Sequence, residues 1–131
     1  MSSFDSEEKV VVLVTGGTGL VGKAIEHIVS NDPSSKNEVW YYASSKDADF
    51  RDRESTQALF EKIKPTHVIH LAARVGGLFG NLKYKVEFYR ENVLINDNVM
   101  ECSRIYKVKK LVSCLSTCIF PDKVSKPNSK Y

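Results

Sequence analysis

The chain has 131 residues, of which 42% are hydrophobic and 27% charged, and a formal net charge of +3. This is the composition of a soluble, single-domain globular protein. No apolar run could span a bilayer, the polar first nine residues lack the regions of a secretory signal, and so small a charge is no argument for nucleic-acid or membrane binding. Cys102, Cys114 and Cys118 form no Cys-x-x-Cys pair, and an odd count without a signal favours reduced, cytosolic thiols.

The first predicted unit is a strand, a glycine-rich turn and a helix. Residues 10–14 are an unbroken run of apolar, mostly β-branched residues, which is typical of a strand buried on both faces. Residues 20–30 have the pattern of a helix. Strand, glycine turn and helix in that order predict a dinucleotide-binding unit, and an ordinary glycine turn between two such elements is the alternative.

The turn itself matches two glycine spacings. Gly17, Gly19 and Gly22 fit Gly-x-Gly-x-x-Gly, and Gly16, Gly19 and Gly22 fit Gly-x-x-Gly-x-x-Gly. One such glycine makes the tight turn, one lets the backbone approach a pyrophosphate, and one allows the helix to pack closely on the strand. The N–H groups of the first helical turn and the helix dipole then hold the phosphates. The predicted cofactor contacts in this segment are Gly16, Gly17, Thr18, Gly19, Leu20, Val21 and Gly22.

Strands and helices alternate along the rest of the chain. In chain order we predict a loop at 31–37, a strand at 38–43, a polar loop at 44–52, a helix at 54–63 that Pro65 ends, a buried strand at 66–72, a loop at 73–81, a long helix from Leu82 to Tyr106 and a last strand at 109–115. This alternation implies an α/β fold, a doubly wound parallel sheet of Rossmann type with helices on both faces. Ligands of such sheets bind at the carboxyl ends of the strands. The segments that converge there are 16–22, 44–50, 71–77 and 116–118.

The end of the second strand bears on the choice of cofactor. An enzyme that binds NAD usually has an acidic residue there, but this chain has Ser44, Ser45 and Lys46. Two hydroxyl groups and a cation suit a 2′-phosphate, which favours NADP, and a solvated polar loop is the alternative. If Asp47 faces the ribose in place of Lys46, the preference weakens or reverses.

The remaining predicted cofactor contacts follow the second and third strands. Asp49 is placed to accept a hydrogen bond from the adenine amino group, and Phe50 to pack beside the ring. Ala72 and Ala73 are small enough for the cofactor to lie against the backbone, and Val75 completes the predicted set.

The three histidines give no metal site. His67 and His70 are three residues apart on a strand, so they face opposite sides of the sheet. His27 is on a distant helix. We therefore expect no bound metal.

Ser116 and Cys118 follow the last predicted strand. A hydroxyl group at that point can bond a substrate carbonyl and stabilise developing oxyanion charge. A thiol can exchange protons, since its ordinary pKa of about 8.5 lies near working pH. The chemistry alone leaves a strand end with buried small residues as an equal alternative.

Several of these segments together resemble the GDP-L-fucose synthase family of the extended short-chain dehydrogenases/reductases. The likeness is carried by residues 15–22, 44–49, 65–73, 75–79 and 112–123 and covers about 10–123. Val-Gly-Gly-Leu-Phe and Ser-Cys-Leu-Ser-Thr-Cys-Ile-Phe-Pro are its most specific motifs. The resemblance implies an enzyme that epimerises GDP-4-keto-6-deoxy-D-mannose at C3 and C5 and then reduces the C4 ketone with NADPH to GDP-L-fucose.

The same resemblance implies roles for single residues. Ser116 matches the superfamily's catalytic serine, Cys118 the cysteine of proton exchange, and Asn92 a helix asparagine near the active site. The helix from Leu82 to Tyr106 is similar to one used in a homodimer interface. We therefore expect a cytoplasmic, dimeric enzyme that binds neither nucleic acid nor a membrane.

One departure from the family bears on what these 131 residues can do. The superfamily uses a Tyr-x-x-x-Lys pair, in which the tyrosine donates a proton as hydride arrives, and no Tyr at a suitable position here precedes a Lys by four residues. We therefore expect an N-terminal fragment that lacks the last strands and the substrate domain and is inactive alone. Its parts are a disordered start at 1–9, a partial NADP-binding Rossmann domain at 10–121 and a polar tail at 122–131. A non-catalytic dinucleotide-binding fragment and another extended short-chain nucleotide-sugar reductase are the alternatives.

Overall fold

The computed structural model describes residues 9–116, so residues 1–8 and the predicted tail at 122–131 lie outside the described residues. Four strands, β1 (Val11–Thr15), β2 (Val39–Ala43), β3 (His67–His70) and β4 (Lys110–Ser113), form one parallel sheet in the order β2-β1-β3-β4. Val14 of β1 is aligned with Tyr42 on one side and with Ile69 on the other. The predicted parallel, Rossmann-type sheet is confirmed.

Each crossover between parallel strands contains a helix. The helices are α1 (Leu20–Asn31), α2 (Arg53–Ile63), α3 (Leu78–Lys83) and α4 (Lys85–Ile105), and a short 3-10 helix, Pro33–Asn37, follows α1. α2 begins where the Asp52 carboxylate accepts from the Ser55 N–H at 2.8 Å, which caps the helix. It ends at Lys64, whose φ of 50° is left-handed, directly before Pro65, which cannot continue the helix. Among the described residues, no helix is long and apolar enough to cross a membrane.

The predicted single helix from Leu82 to Tyr106 is wrong, because two helices occupy this part of the chain. Tyr84 leaves the helical conformation with φ −118° and ψ 44°, which separates α3 from α4. Leu82 and Val86 are four residues apart, so their helical spacing continues across the break and gives no sign of it. α3 also begins earlier than predicted, inside the segment assigned to a loop.

Two smaller differences concern segment ends. The predicted loop at 31–37 contains the 3-10 helix, which the Asp32 carboxylate caps by accepting from the Ser34 N–H at 2.9 Å. The predicted strand at 109–115 ends at Ser113, so the chain leaves the sheet earlier and residues 114–116 lie at its carboxyl edge.

One face of the sheet carries the core. Because crossovers between parallel strands are right-handed, the strand order puts α2 and α4 on one face and α1 on the other. The buried cluster on the α2 and α4 face consists of Leu13, Ala43, Ala48, Phe50, Leu59, Phe60, Val68, Ile95, Val99 and Cys102. The Asn98 side-chain amide of α4 donates to the Phe50 carbonyl oxygen at 2.9 Å, which fixes the loop after β2 to the helix.

The α1 face is covered more thinly. Gly22 is the one buried residue of α1, whereas Leu20 and Ile28 are exposed. The edge strand β4 is also exposed along most of its length. α1 therefore contributes its N-terminus to the carboxyl edge of the sheet more than it contributes side chains to a core.

Candidate dinucleotide site and the cavity beside it

The carboxyl ends of β1, β2 and β3 open into a cleft of about 660 Å³, which we call the glycine cleft. The predicted cofactor residues that line it are Gly16, Thr18, Gly19, Leu20, Val21, Gly22, Ser44, Ser45, Asp49, Phe50, Ala72, Ala73 and Val75. Gly17 and Lys46 belong to the predicted set but are not among the lining residues. The other residues of the walls were not predicted as cofactor contacts, although three of them lie in the segments predicted to converge here. They are Ala48, Leu71 and Arg74 in those segments, and Arg51, Glu91, Ile95 and Cys114 outside them.

Close packing of backbone shapes the glycine cleft. Gly16 has a φ of +68°, which L side chains rarely adopt, and a Cβ there would lie 2.9 Å from the Ala72 nitrogen. A Cβ on Gly22 would lie 2.2 Å from the Gly17 carbonyl oxygen, and one on Gly17 would lie 2.6 Å from Tyr42 Cα. Gly17 therefore packs the turn against β2 and supports the cleft from behind, which explains why this predicted contact does not line it.

The N-terminus of α1 faces the glycine cleft. Gly19 is the N-cap and has no side chain with which to cap the helix, while Leu20 and Val21 of the first turn line the cleft. The first N–H groups of a helix have no partner within it. These groups and the helix dipole can therefore hold an anionic group, which is the arrangement that the glycine spacing predicts for a pyrophosphate.

In the loop after β2, Asp47 is bonded back to Ser44 and does not line the cleft. Asp47 Oδ2 accepts from the Ser44 N–H at 2.8 Å and from Ser44 Oγ at 2.7 Å, and these bonds hold the pKa of Asp47 below its ordinary value. The Lys46 N–H donates to Ser44 Oγ at 3.2 Å. Neither Lys46 nor Asp47 lines the cleft, so at this position its wall consists of Ser44 and Ser45.

Four charged side chains run along another wall of the glycine cleft, and we call them the charge chain: Asp49, Arg51, Glu91 and Arg74. Arg51 donates from Nη2 to Asp49 Oδ2 at 2.8 Å and from Nη1 to Glu91 Oε2 at 3.1 Å. The other Glu91 oxygen accepts from Arg74 Nη1. The bonds from Arg51 lower the pKa of Asp49, and those from Asp49 raise the pKa of Arg51.

The predicted adenine contacts, Asp49 and Phe50, lie at the Asp49 end of the charge chain. Asp49 lines the cleft with its carboxylate bound to Arg51, and Phe50 lines the cleft while belonging to the buried core. In the sequence, only the pair Asp49 and Arg51, two residues apart in one loop, hints at the charge chain. Glu91 is forty residues from Arg51, so no local pattern could have linked them.

His70 is buried and bonded to residues on two other elements. Thr15 Oγ1 lies 2.7 Å from His70 Nδ1, and Asn96 Oδ1 lies 2.9 Å from His70 Nε2. The Thr15 hydroxyl already accepts from the N–H groups of Leu71 and Ala72, so we assign its proton to the bond with Nδ1 and the ring proton to Nε2. Burial lowers the pKa of His70. The ring is thus a neutral link between β1, β3 and α4.

A second cavity of about 740 Å³ adjoins the glycine cleft, and we call it the serine cavity. The two share residues 71–75 and Cys114. The serine cavity is otherwise lined by His70, Gly76, Asn81, Phe88, Tyr89, Asn92, Val93, Asn96, Leu115 and Ser116. The structure therefore brings Ser116 next to the predicted cofactor site, while Cys118 lies outside the described residues.

Asn92, the predicted active-site asparagine, holds the loop between the two cavities. Its Oδ1 accepts from the Arg74 N–H at 2.8 Å, and its Nδ2 donates to the Arg74 carbonyl oxygen at 2.9 Å. The Arg74 guanidinium carbon lies 4.5 Å from the centroid of the Phe88 ring, a cation–π contact. The backbone and the side chain of Arg74 are thus both held by α4.

Two Tyr and Lys pairs in the described residues have the four-residue spacing, but neither lies on one helix. Tyr42 is on β2 with a buried hydroxyl and Lys46 is in the loop beyond. Tyr106 follows α4, its hydroxyl 3.4 Å from the Gln57 carbonyl oxygen, and Lys110 is on β4. Neither tyrosine lines either cavity. The described residues also contain no cluster of three His, Cys, Asp or Glu residues that could hold a metal.

Comparison with known proteins adds to this geometry. Residues 12–131 match the model of a family described as the NAD dependent epimerase/dehydratase family. A GDP-L-fucose synthase from Dictyostelium discoideum is 63% identical over 123 residues, which are 94% of this chain and 38% of that protein. A probable GDP-L-fucose synthase from Drosophila melanogaster is 59% identical over 116 residues, which are 88% of this chain and 36% of that protein.

A solved structure is similar as well. The crystal structure of a GDP-L-fucose synthetase from Naegleria fowleri bound to NADP has a TM-score of 0.79 and 52% sequence identity, over 90% of this chain and 35% of that one. The chain therefore spans between 35% and 38% of the length of these three relatives.

Proposed function

Because this chain belongs to the NAD dependent epimerase/dehydratase family, we propose that the full-length gene product is an NADPH-dependent GDP-L-fucose synthase. We call this full-length product the complete protein. It epimerises GDP-4-keto-6-deoxy-D-mannose at C3 and C5 and reduces the C4 ketone to GDP-L-fucose. The observation that carries this proposal is the 63% identity to the Dictyostelium discoideum GDP-L-fucose synthase over 94% of this chain.

The glycine cleft fits NADP(H). The packed turn leaves the N-terminus of α1 open to a pyrophosphate, and Ala72 and Ala73 leave room for the cofactor along the end of β3. Ser44 and Ser45 line the cleft where the ribose would lie. Asp47, the acidic residue nearest to them in the sequence, is bound to Ser44 and does not line the cleft, and the cleft-lining Asp49 of the same loop is bound to Arg51. When bound, NADPH supplies the hydride.

Two side chains are proposed as the reacting groups, and the first of them, Ser116, lines the serine cavity. Ser116 donates a hydrogen bond to the C4 carbonyl oxygen of the substrate, which stabilises the charge that develops there. Cys118, two residues further along the chain, exchanges protons at C3 and C5, since the neighbouring ketone acidifies both carbons and a thiol titrates near neutral pH. The position of Ser116 in the serine cavity, which shares a wall with the glycine cleft, supports the pairing of the two sites.

The 131 residues alone are proposed to be inactive. The Tyr-x-x-x-Lys pair of the reduction has no candidate among the described residues, since neither Tyr42 nor Tyr106, the two tyrosines with a lysine four residues later, lines a cavity. A dinucleotide-binding role without turnover is the alternative for the chain by itself. Incubating it with NADPH and GDP-4-keto-6-deoxy-D-mannose decides the point, and any turnover contradicts the assignment.

A homodimer formed through α4 is part of the proposal. Val86, Tyr89 and Val93 are exposed apolar side chains on the first half of α4, and their spacing places them on one side of the helix. Sedimentation of the complete protein should show a dimer, and Val86→Glu, at a position that lines neither cavity, should convert it to a monomer. A wild-type monomer would contradict this. A cytoplasmic location is proposed with it, supported by the free thiols of Cys102 and Cys114.

The test of the proposed activity uses the complete protein, NADPH and GDP-4-keto-6-deoxy-D-mannose in deuterated water. We expect NADPH oxidation, deuterium at C3 and C5, and GDP-L-fucose as the product. Oxidation of NADPH without exchange at either carbon would instead identify a C4 reductase that reduces this sugar without epimerising it. If neither oxidation nor exchange occurs, the complete protein is not an epimerase-reductase of this substrate.

A further inference from the structure

The charge chain is not explained by the proposed function. It joins the loop after β2, the loop after β3 and α4, and its four side chains all line the glycine cleft. Glu91 lies at its centre, because its two oxygens bind different arginines. The Glu91 side chain is 25% exposed, whereas those of Asp49 and Arg51 are 47% and 50% exposed. The charge chain is thus less exposed at Glu91, in its middle, than at Asp49 and Arg51.

The charge chain is not arranged as a phosphate site. Two carboxylates are paired with two guanidinium groups, so its net charge is zero. Arg51 uses Nε and Nη2 for Asp49 and Nη1 for Glu91. Arg74 is fixed by Glu91, by the Phe88 ring and through its backbone by Asn92. A phosphate would have to displace a carboxylate from one of these arginines.

The arrangement fixes the direction of the Asp49 carboxylate. Asp49 Oδ1 accepts from the Arg51 backbone N–H at 3.0 Å and from Arg51 Nε at 2.9 Å, and Oδ2 accepts from Nη2 at 2.8 Å. A guanidinium group is a planar fork that holds a carboxylate in one orientation. Oδ2 also accepts from Arg51 Nε at a longer distance, 3.2 Å. The fork is in turn held by Glu91, so the direction from which the outer side of the carboxylate can accept a further hydrogen bond is defined.

We propose that Glu91 is a positioning residue for base recognition. By holding the Arg51 fork, it keeps the Asp49 carboxylate in place as the acceptor for the exocyclic amino group of adenine. This inference rests on the proposed function, since the adenine is that of NADP(H). Glu91 itself does not touch the base, because both of its oxygens are bound to arginines.

The test compares NADP⁺ with its deamino analogue, in which hypoxanthine presents a carbonyl oxygen where adenine has its amino group. Dissociation constants of the complete protein are measured for both by equilibrium titration. Wild type should bind NADP⁺ about tenfold more tightly, the size expected of a hydrogen bond to a charged group. Glu91→Gln keeps the size of the side chain but has one oxygen and no charge, so it cannot hold both arginines. We expect the ratio to fall to about threefold or less, through weaker binding of NADP⁺.

Three further variants make this test decisive. Glu87→Gln, which removes an exposed carboxylate one turn earlier on α4 and away from both cavities, should keep the wild-type ratio. Arg51→Lys keeps the charge but not the fork and should lower the ratio as Glu91→Gln does, so it decides the question if Glu91→Gln does not fold. Asp49→Asn gives the ratio that remains without the carboxylate.

The outcomes separate this inference from the proposed function. If Glu91→Gln weakens both dinucleotides equally and keeps the ratio, Glu91 is only a structural residue and the inference is overturned. It is also overturned if wild type binds NADP⁺ but does not discriminate against the deamino analogue. If wild type binds neither dinucleotide, the proposed cofactor is wrong, and this inference is overturned together with it.

Discussion

The glycine cleft and the serine cavity share a wall at residues 71–75 but are built in different ways. Backbone shapes the glycine cleft, since Gly22 packs on Gly17 with no space for a Cβ. Side chains line the serine cavity, where the Asn92 amide holds the Arg74 backbone. A backbone-shaped site suits a ligand of constant structure, such as a cofactor. A site that is lined by side chains can be altered residue by residue, which suits a substrate. We therefore expect mutations in the glycine cleft and in the serine cavity to have different effects.

The largest expected effect is on the epimerisation proposed for Cys118, which follows Ser116 of the serine cavity by two residues in the sequence. Cys118→Ala in the complete protein should lower deuterium incorporation at C3 and C5 by about 10²- to 10⁴-fold, because a general acid–base group contributes that much. Ketone reduction should continue on the unepimerised sugar, giving a GDP-6-deoxy-hexose other than GDP-L-fucose. NADPH affinity should not change. Exchange at the wild-type rate would show that Cys118 has no catalytic role.

The next largest effect is on the stability of the protein and comes from the glycine turn that shapes the cleft. Gly22→Ala puts a Cβ 2.2 Å from the Gly17 carbonyl oxygen, where only backbone can move. We expect the free energy of unfolding to fall by about 3 kcal/mol, as measured by urea denaturation. Gly80→Ala is the control, since its Cβ would meet only the Phe88 ring at 3.9 Å, and it should not destabilise the protein. Equal stability of the two variants would mean that α1 can shift away from the turn.

Cofactor choice should show a smaller effect. Calorimetric titration of the complete protein should give tighter binding of NADPH than of NADH, because Ser44 and Ser45 line the cleft and Asp47 is turned back onto Ser44. Lys46 does not line the cleft, but we expect its long side chain to turn to the 2′-phosphate when NADPH binds, so Lys46→Ala should reduce the preference by about tenfold, as for loss of one hydrogen bond to a charged group. A wild type with equal affinity for both cofactors would show that Asp47 turns toward the ribose. An unchanged preference in Lys46→Ala would assign the 2′-phosphate to the serines alone.

The smallest effect concerns His70, which lines the serine cavity beside the shared wall, and it depends on pH. Burial lowers the pKa of His70 in the folded state, so below the unfolded value of about 6.5 the unfolded chain binds more protons and stability falls as pH falls. One such group changes the free energy of unfolding by at most about 1.4 kcal/mol per pH unit. Urea denaturation between about pH 5 and 7 should show this slope. His70→Gln should reduce it, and His27→Gln, an exposed site on α1, should not. An unaltered slope in His70→Gln would assign it to other groups.

The part of the site that backbone shapes could be predicted from the sequence. The spacing of Gly16, Gly19 and Gly22 between a buried strand and a helix predicted the turn, and all three line the cleft, whereas Gly17 packs against β2 behind it. The direction of the Asp47 side chain could not be predicted. Its carboxylate accepts from the Ser44 N–H and hydroxyl in the same loop, and the sequence does not show whether it makes these bonds or faces the ribose. The charge chain could not be predicted either, because its central bond joins Arg51 to Glu91 across forty residues. The break between α3 and α4 at Tyr84 was not predicted for a third reason, because one non-helical residue leaves the spacing of the apolar residues unchanged.

The contact between Gly17 and Gly22 has a consequence for the gene. Every single-nucleotide missense change in a glycine codon yields a residue that has a Cβ. At Gly22 that atom would lie 2.2 Å from the Gly17 carbonyl oxygen, and at Gly17 it would lie 2.6 Å from Tyr42 Cα. None of these replacements fits without movement of the backbone, however small or polar the new side chain is. In individuals that depend on this protein, the two codons should therefore accumulate synonymous changes only, and a missense variant at either should be read as damaging before any assay is done.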